Sequence, residues 1–174
     1  MTGTEKKHAR NRIGAELLGW MPFFGIALIF VNDQIRVVYP SWLTGKLSDV
    51  AVLLYLPFLL STGLAVGLWA VDRVRLRIVP DATPFEYQLT RRRLIVCLFL
   101  SGAGLSAVNL SYTLRDLYLT LLRTVDVFHL FGDFVYTVDP TDLVALAALY
   151  PAWRFGNRFV VSDAPVRTPR EEGG

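Results

Sequence analysis

The chain has 174 residues, 53% of them hydrophobic and only 19% charged, with a net charge of +3. A soluble domain usually carries about a quarter charged residues, and the deficit here is concentrated in long apolar runs, which points to lipid as the solvent. One cysteine excludes an intrachain disulfide framework or a CxxC metal motif, and no phosphate loop, dinucleotide fingerprint, HExxH or GxSxG is present.

Residues 1–12 form a basic arm carrying Lys6, Lys7, Arg10 and Arg12. The first apolar run, 13–31, has Glu16 as its single charge. Nineteen residues rise about 28 Å as a helix, roughly one hydrocarbon core. With no small-x-small cleavage site after it, the run reads as an uncleaved membrane helix rather than a signal peptide. Pro40 and Gly45 break the connection that follows, where Tyr39 and Trp42 suit an interfacial belt. Ser48 is the expected N-cap of a second span over 49–71, which has no charge from Val50 to Val71 and which Pro57 is expected to kink.

Residues 72–93 read as an arginine-rich connection, with a short hairpin expected from 74–79 and 85–90 around the Pro80 to Pro84 turn. A third span covers 94–112, rich in small residues and holding Cys97 as a buried hydrophobe. Within 114–131, Asp116, Thr120 and Arg123, continued by Asp126 and Asp133, recur at steps of three, four or seven. That spacing predicts an amphipathic helix at the interface, or else a fifth span with an inward polar stripe. The fourth span is 140–155, opened by Thr141 as N-cap and bent by Pro151, and the tail 162–174 is polar and expected to be disordered. The expected architecture is therefore all-α: a polytopic bundle of four transmembrane helices plus one amphipathic helix.

Of the 18 Lys and Arg residues, fourteen fall on one side of this arrangement: four before the first span, six in 72–93 and four after the last span. Only Arg36, Lys46, Arg115 and Arg123 fall on the other. The positive-inside rule then puts both termini in the cytoplasm and the protein in the inner or plasma membrane. Cations flanking apolar spans have anionic headgroups as partners rather than nucleic acid.

Two stretches match at constant offset. Gly25, Leu28, Val31 and Asn32 correspond to Gly102, Leu105, Val108 and Asn109, and Ser48-Asp49 corresponds to Thr141-Asp142. An internal two-fold repeat follows, with its axis along the membrane normal. It gathers Asn32, Asp33, Lys46, Ser48, Asp49, Asn109, Asp139, Thr141 and Asp142 at the outer face. Hard oxygen ligands of this kind suit a divalent cation or a cationic headgroup; the simpler reading is that Asp49 and Asp142 only cap helices. Asp126, His129 and Asp133 share one helical face as a second candidate metal site.

The segment Trp42-Leu43-Thr44-Gly45-Lys46-Leu47-Ser48-Asp49 resembles one found in small bacterial multi-pass membrane proteins, a resemblance that implies no activity. More distantly, Lys46 and the helix with Tyr55 are similar to the start of a VanZ-like helix. Gly45 and Asp49 stand where that family has Asp and His, so no function carries over. The expectation is a binding or accessory component of the cell envelope. The alternatives are a metal-assisted enzyme acting on lipid headgroups and a small transporter subunit. Partners beyond the bilayer would be further copies or other membrane subunits.

Overall fold

The computed structural model describes residues 13–39, 41–79, 83, 85, 87–125 and 139–161. Among them are five α-helices and one 3-10 helix: α1 (Trp20–Val38), α2 (Trp42–Ile78), α3 (Arg91–Leu110), α4 (Tyr112–Val125), the 3-10 helix η1 (Pro140–Ala148) and α5 (Leu149–Gly156). The basic arm and the tail lie outside the described residues, as do Asp126, His129 and Asp133.

Local chemistry sets most boundaries. Residues 13–18 are turns rather than the start of the first span. Gly14 takes φ +74°, where a side chain is strained, and a Cβ there would sit 2.8 Å from Thr62. Helix α1 then starts at Trp20, with Pro22 in its first turn, where a missing N–H costs nothing. It ends before Pro40, which disfavours the helical conformation of the residue preceding it.

The second helix begins seven residues before the expected span. Ser41, not Ser48, is its N-cap: its hydroxyl accepts from the Thr44 N–H at 3.3 Å, and Thr44 Oγ1 accepts from the Ser41 N–H at 3.1 Å. This reciprocal pair satisfies donors that a helix start otherwise leaves bare. Beyond Pro57 no breaker follows until Pro80, so α2 continues through the arginines to Ile78, and residues 74–78 of the expected hairpin strand are helix. Pro57 is buried within the continuous helix. Thr90 caps α3, accepting from Arg93 N–H at 3.2 Å, and Ser111 separates α3 from α4. Asp139, not Thr141, caps η1, with Pro140 at its first position. Nine residues is long for 3-10 geometry, and α geometry resumes only at Leu149, two residues before Pro151.

Helix α2 is the hub, packing against α1, α3, η1 and α5, while α4 packs against α3. The core joins Leu53 and Phe58 of α2, Leu94 and Leu98 of α3, and Ala145, Ala148, Ala152 and Phe155 of the last two elements. The Phe155 ring meets Phe58 edge-on at 5.5 Å and Trp20 at 5.7 Å. Glycines let backbones approach: a Cβ on Gly25 would lie 2.9 Å from the Ala51 carbonyl, and one on Gly102 would lie 2.8 Å from Leu149.

Two helices, α2 and α3, are long and apolar enough to cross a membrane among the described residues, where the sequence suggested four. Helix α1 has 19 residues but carries Asp33 and Arg36 near its end. The last apolar run is divided between nine residues of 3-10 helix and eight of α-helix.

Candidate functional site: two buried polar layers

Lys46 sits in the second turn of α2, 8% exposed. Its ammonium donates to Thr141 Oγ1 at 2.5 Å and Asp142 Oδ1 at 2.7 Å, and lies 3.7 Å from Asp139 Oδ2. It also stands 4.6 Å from the centre of the Trp42 ring. The ammonium thus ties the start of α2 to the start of η1. Asp139 holds Thr141 in place, accepting from its backbone N–H at 2.9 Å and its hydroxyl at 2.7 Å. Those two bonds favour the ionised carboxylate and lower the Asp139 pKa below its ordinary value, with nearby Lys46 adding to the effect.

Asp49 lies one turn beyond Lys46, buried, with its carboxyl facing that of Asp142. Eight residues into α2 it caps nothing, and Asp142 lies inside the first turn of η1 behind the true cap. Capping therefore does not account for Asp49. Asp139 and Asp142 pair with the one ammonium, and Asp49 lies behind them beside Asp142, so acidic groups outnumber the ammonium in this cluster.

Asn32 is fully buried and donates from Nδ2 to the Thr44 carbonyl at 2.8 Å, locking the end of α1 to the start of α2. Its Oδ1 has no hydrogen-bond partner among the described residues, an arrangement that is costly in a buried site. Asn109 is likewise fully buried, and donates back to the Leu105 carbonyl at 3.1 Å. Asp33 is exposed on α1, and Ser48 is half-buried with no bond to Lys46 or to the aspartates. Among the described residues no three His, Cys, Asp or Glu side chains are grouped so as to hold a metal ion. In this cluster the Lys46 ammonium already lies between Asp139 and Asp142.

A second polar layer, absent from the sequence reading, lies fifteen residues along α2, about 22 Å away. Glu16 and Arg93 are 2% and 9% exposed, with Oε1 and Nη2 3.5 Å apart. Ser61, fully buried, donates to Glu16 Oε1 at 2.8 Å and accepts from Arg93 Nε at 3.1 Å. Arg93 Nη1 also donates to the Tyr87 carbonyl at 2.9 Å. The layer extends to Asp72, which accepts from the Phe85 N–H at 2.6 Å and from the Tyr87 hydroxyl. That carboxylate and the loss of water hold the Tyr87 pKa above its ordinary value. Opposite charges at corresponding ends of two apolar runs, Glu16 and Arg93, were the available signal.

Between the two layers, Leu53, Leu54, Pro57 and Phe58 are buried in the apolar core. The arrangement is a pair of charged clamps separated along α2 by this buried apolar section. Compared with known protein families, with curated proteins and with solved structures, the chain has no match.

Proposed function

We propose that this is a small polytopic membrane protein with four crossing segments and both termini cytoplasmic. The cluster of Lys46, Asp49, Asp139 and Asp142 then opens at the outer face as a binding site of the cell envelope. The observation that carries this reading is the excess of carboxylate around the single buried Lys46. Ionisable groups near membrane depth are costly and usually paired or functional, and here the pairing leaves acid to spare.

Several features support the bilayer. Phe30, Phe99 and Leu100 lie exposed on the helix surfaces at 67%, 70% and 54%, as lipid contact requires. Trp42 and Trp69 stand twenty-seven residues apart on α2, about 40 Å, the thickness of a bilayer with its headgroup regions. Arg73, Arg75 and Arg77 follow directly, in keeping with a cytoplasmic end. Gly25 and Gly102 each seat their helix on the second helical element of their own pair, and Asp49 faces its counterpart Asp142. Both relations accord with a duplicated two-helix unit.

The ligand chemistry is cationic: because Asp49, Asp139 and Asp142 are not grouped so as to hold a metal ion, the ammonium of a lipid headgroup fits the cluster better than a divalent ion. The protein in nanodiscs of phosphatidylethanolamine or phosphatidylcholine, with and without Mg²⁺, tests it by thermal unfolding. Stabilisation by the primary ammonium or by Mg²⁺ that disappears in Asp49→Asn supports the site. Equal stability in every condition, or the same response in wild type and variant, contradicts it.

A further inference from the structure

Helix α2 continues past Trp69 for nine residues to Ile78, about 14 Å. This end lies beyond the tryptophan pair that brackets the bilayer, and so in water. It is not polar all round. Val71, Val74 and Ile78 follow at steps of three and four on one face, and each of them, like Val79, is more than half exposed. With Ala70 and Arg75 they line an apolar groove of about 580 Å³. A contiguous apolar patch facing water marks an interaction site.

The last described residues stand close to that groove. The Phe85 N–H and the Tyr87 hydroxyl both donate to Asp72, and the Phe85 ring centre is 4.9 Å from the Arg75 guanidinium. Phe85 and Tyr87 therefore lie against this end of α2. Two residues on, the Leu89 carbonyl accepts from the Val161 N–H at 3.1 Å, and Phe159 and Val160 pack against the core. Val161 is thus held beside the segment that flanks the groove. Pro165 is four residues past Val161, a reach of up to about 14 Å, and Leu89 is four residues from Phe85, the same length of chain.

The sequence that follows Val161 has matching chemistry. Asp163 leads into Ala164-Pro165-Val166, an apolar triplet. Proline restricts its own φ and the residue before it, so ordering the triplet costs less chain entropy. The groove offers apolar side chains and the Arg75 guanidinium, opposite in charge to Asp163. Arg167 and Arg170 come after the triplet, which confines a favourable contact to 163–166. Attachment at Val161 supplies an effective concentration of about millimolar, enough for a short contact. A second copy in the groove would run parallel in the same bilayer and bring two Arg75 and two Arg77 side chains together, where like charges oppose association.

We propose that residues 163–166 dock in the α2 groove of their own chain, with Pro165 and Val166 against Val74 and Ile78 and Asp163 at Arg75. The inference rests on the bilayer reading only in setting residues 70–79 in water, and it is independent of the Lys46 cluster.

The test uses the full chain in nanodiscs with Cys97→Ser, carrying Val166→Cys together with either Val74→Cys or Arg92→Cys. Arg92 is exposed and stands on the same side of the bilayer. Under mild oxidation the 74–166 pair should close an intrachain disulfide about tenfold faster than the 92–166 pair, because docking concentrates the tail at the groove. Asp163→Asn should slow that closure about threefold, the scale of one exposed ion pair. Glu171→Gln, the same change in charge beyond the contact, should leave it unchanged. Equal rates for the two pairs, equal effects of Asp163→Asn and Glu171→Gln, or an interchain disulfide in place of the intrachain one would each overturn the proposal. Labelling of Val74→Cys alone with a water-soluble maleimide needs no second cysteine and gives an independent readout. Val166→Asp, which sets a charge against the apolar groove, should speed that labelling severalfold. Labelling equally fast with and without Val166→Asp overturns the docking and leaves the membrane placement standing. No labelling at 74 in either chain, with Arg92→Cys reacting, puts the groove in lipid and removes both.

Discussion

Lys46 and Asp142 lie ninety-six positions apart in the chain and 2.7 Å apart in space. This contact joins the start of α2 to the start of η1, and Asp139 and Thr141 fasten it from the side. Replacing Lys46 with Met keeps the apolar stem and deletes the ammonium, leaving Asp142 and Asp49 side by side with Arg36 as the remaining counter-charge on Asp49. The expected result is a lower unfolding temperature in detergent, larger than for Asp142→Asn alone, with K46M/D142N more stable than K46M. A double variant as unstable as the sum of the singles would show that the pair is not coupled.

The Glu16 and Arg93 pair is the more deeply buried. Removing one partner of such a pair strands the other charge, at a cost of about 3–5 kcal/mol. Glu16→Gln and Arg93→Met should each destabilise the protein on that scale, whereas E16Q/R93M should recover part of the loss. Reversible unfolding in mixed micelles measures all three.

Close approach and open space predict opposite outcomes for glycine replacements. Gly25→Ala drives a methyl against the Ala51 carbonyl and should cost about 1–3 kcal/mol, as overpacking does. Gly104→Ala meets nothing within 4 Å and should be neutral or stabilising by about 1 kcal/mol, from helix propensity alone. Thermal unfolding of the two variants side by side checks this.

Acid should loosen the Lys46 clamp from the Asp139 side. The pKa of Asp139 is lower in the folded chain than its ordinary 3.8, so its contribution is complete above that value. It is lost as the pH falls through the ordinary value toward the lower folded one. Unfolding temperature should therefore drop on acidification below about pH 4, and Asp139→Ala should flatten that limb while lowering stability near neutrality. An unchanged acid limb in the variant would assign it to other carboxylates.

The apolar runs made the helices legible, but not their ends: the second span was expected over 49–71, whereas α2 runs from Trp42 through Gly45 to Ile78, and the expected third span is parted from α4 at Ser111. The cap of α2 was misplaced because Ser48-Asp49 carries the same signal as Ser41, and only the reciprocal bonding of Ser41 with Thr44 distinguishes them. The likeness of the two halves directed attention to Lys46, Asp49, Asp139, Thr141 and Asp142, which the fold brings together. Asp33 was included by adjacency to Asn32 and lies on the outside of α1. The Glu16, Ser61 and Arg93 layer was not legible in the same way. Arg93 belongs to an arginine triplet whose other members are exposed, and nothing local marks which of the three turns inward.

The central claim is that the Lys46 end and the Arg93 end face opposite sides of a membrane. With Cys97 replaced by Ser, single cysteines at Asp33 and at Arg92, both exposed, can be reacted in intact cells with a membrane-impermeant maleimide. The cysteine at 33 should label at once and the cysteine at 92 only after permeabilisation. Labelling of both in intact cells, or of the cysteine at 92 alone, would contradict the account.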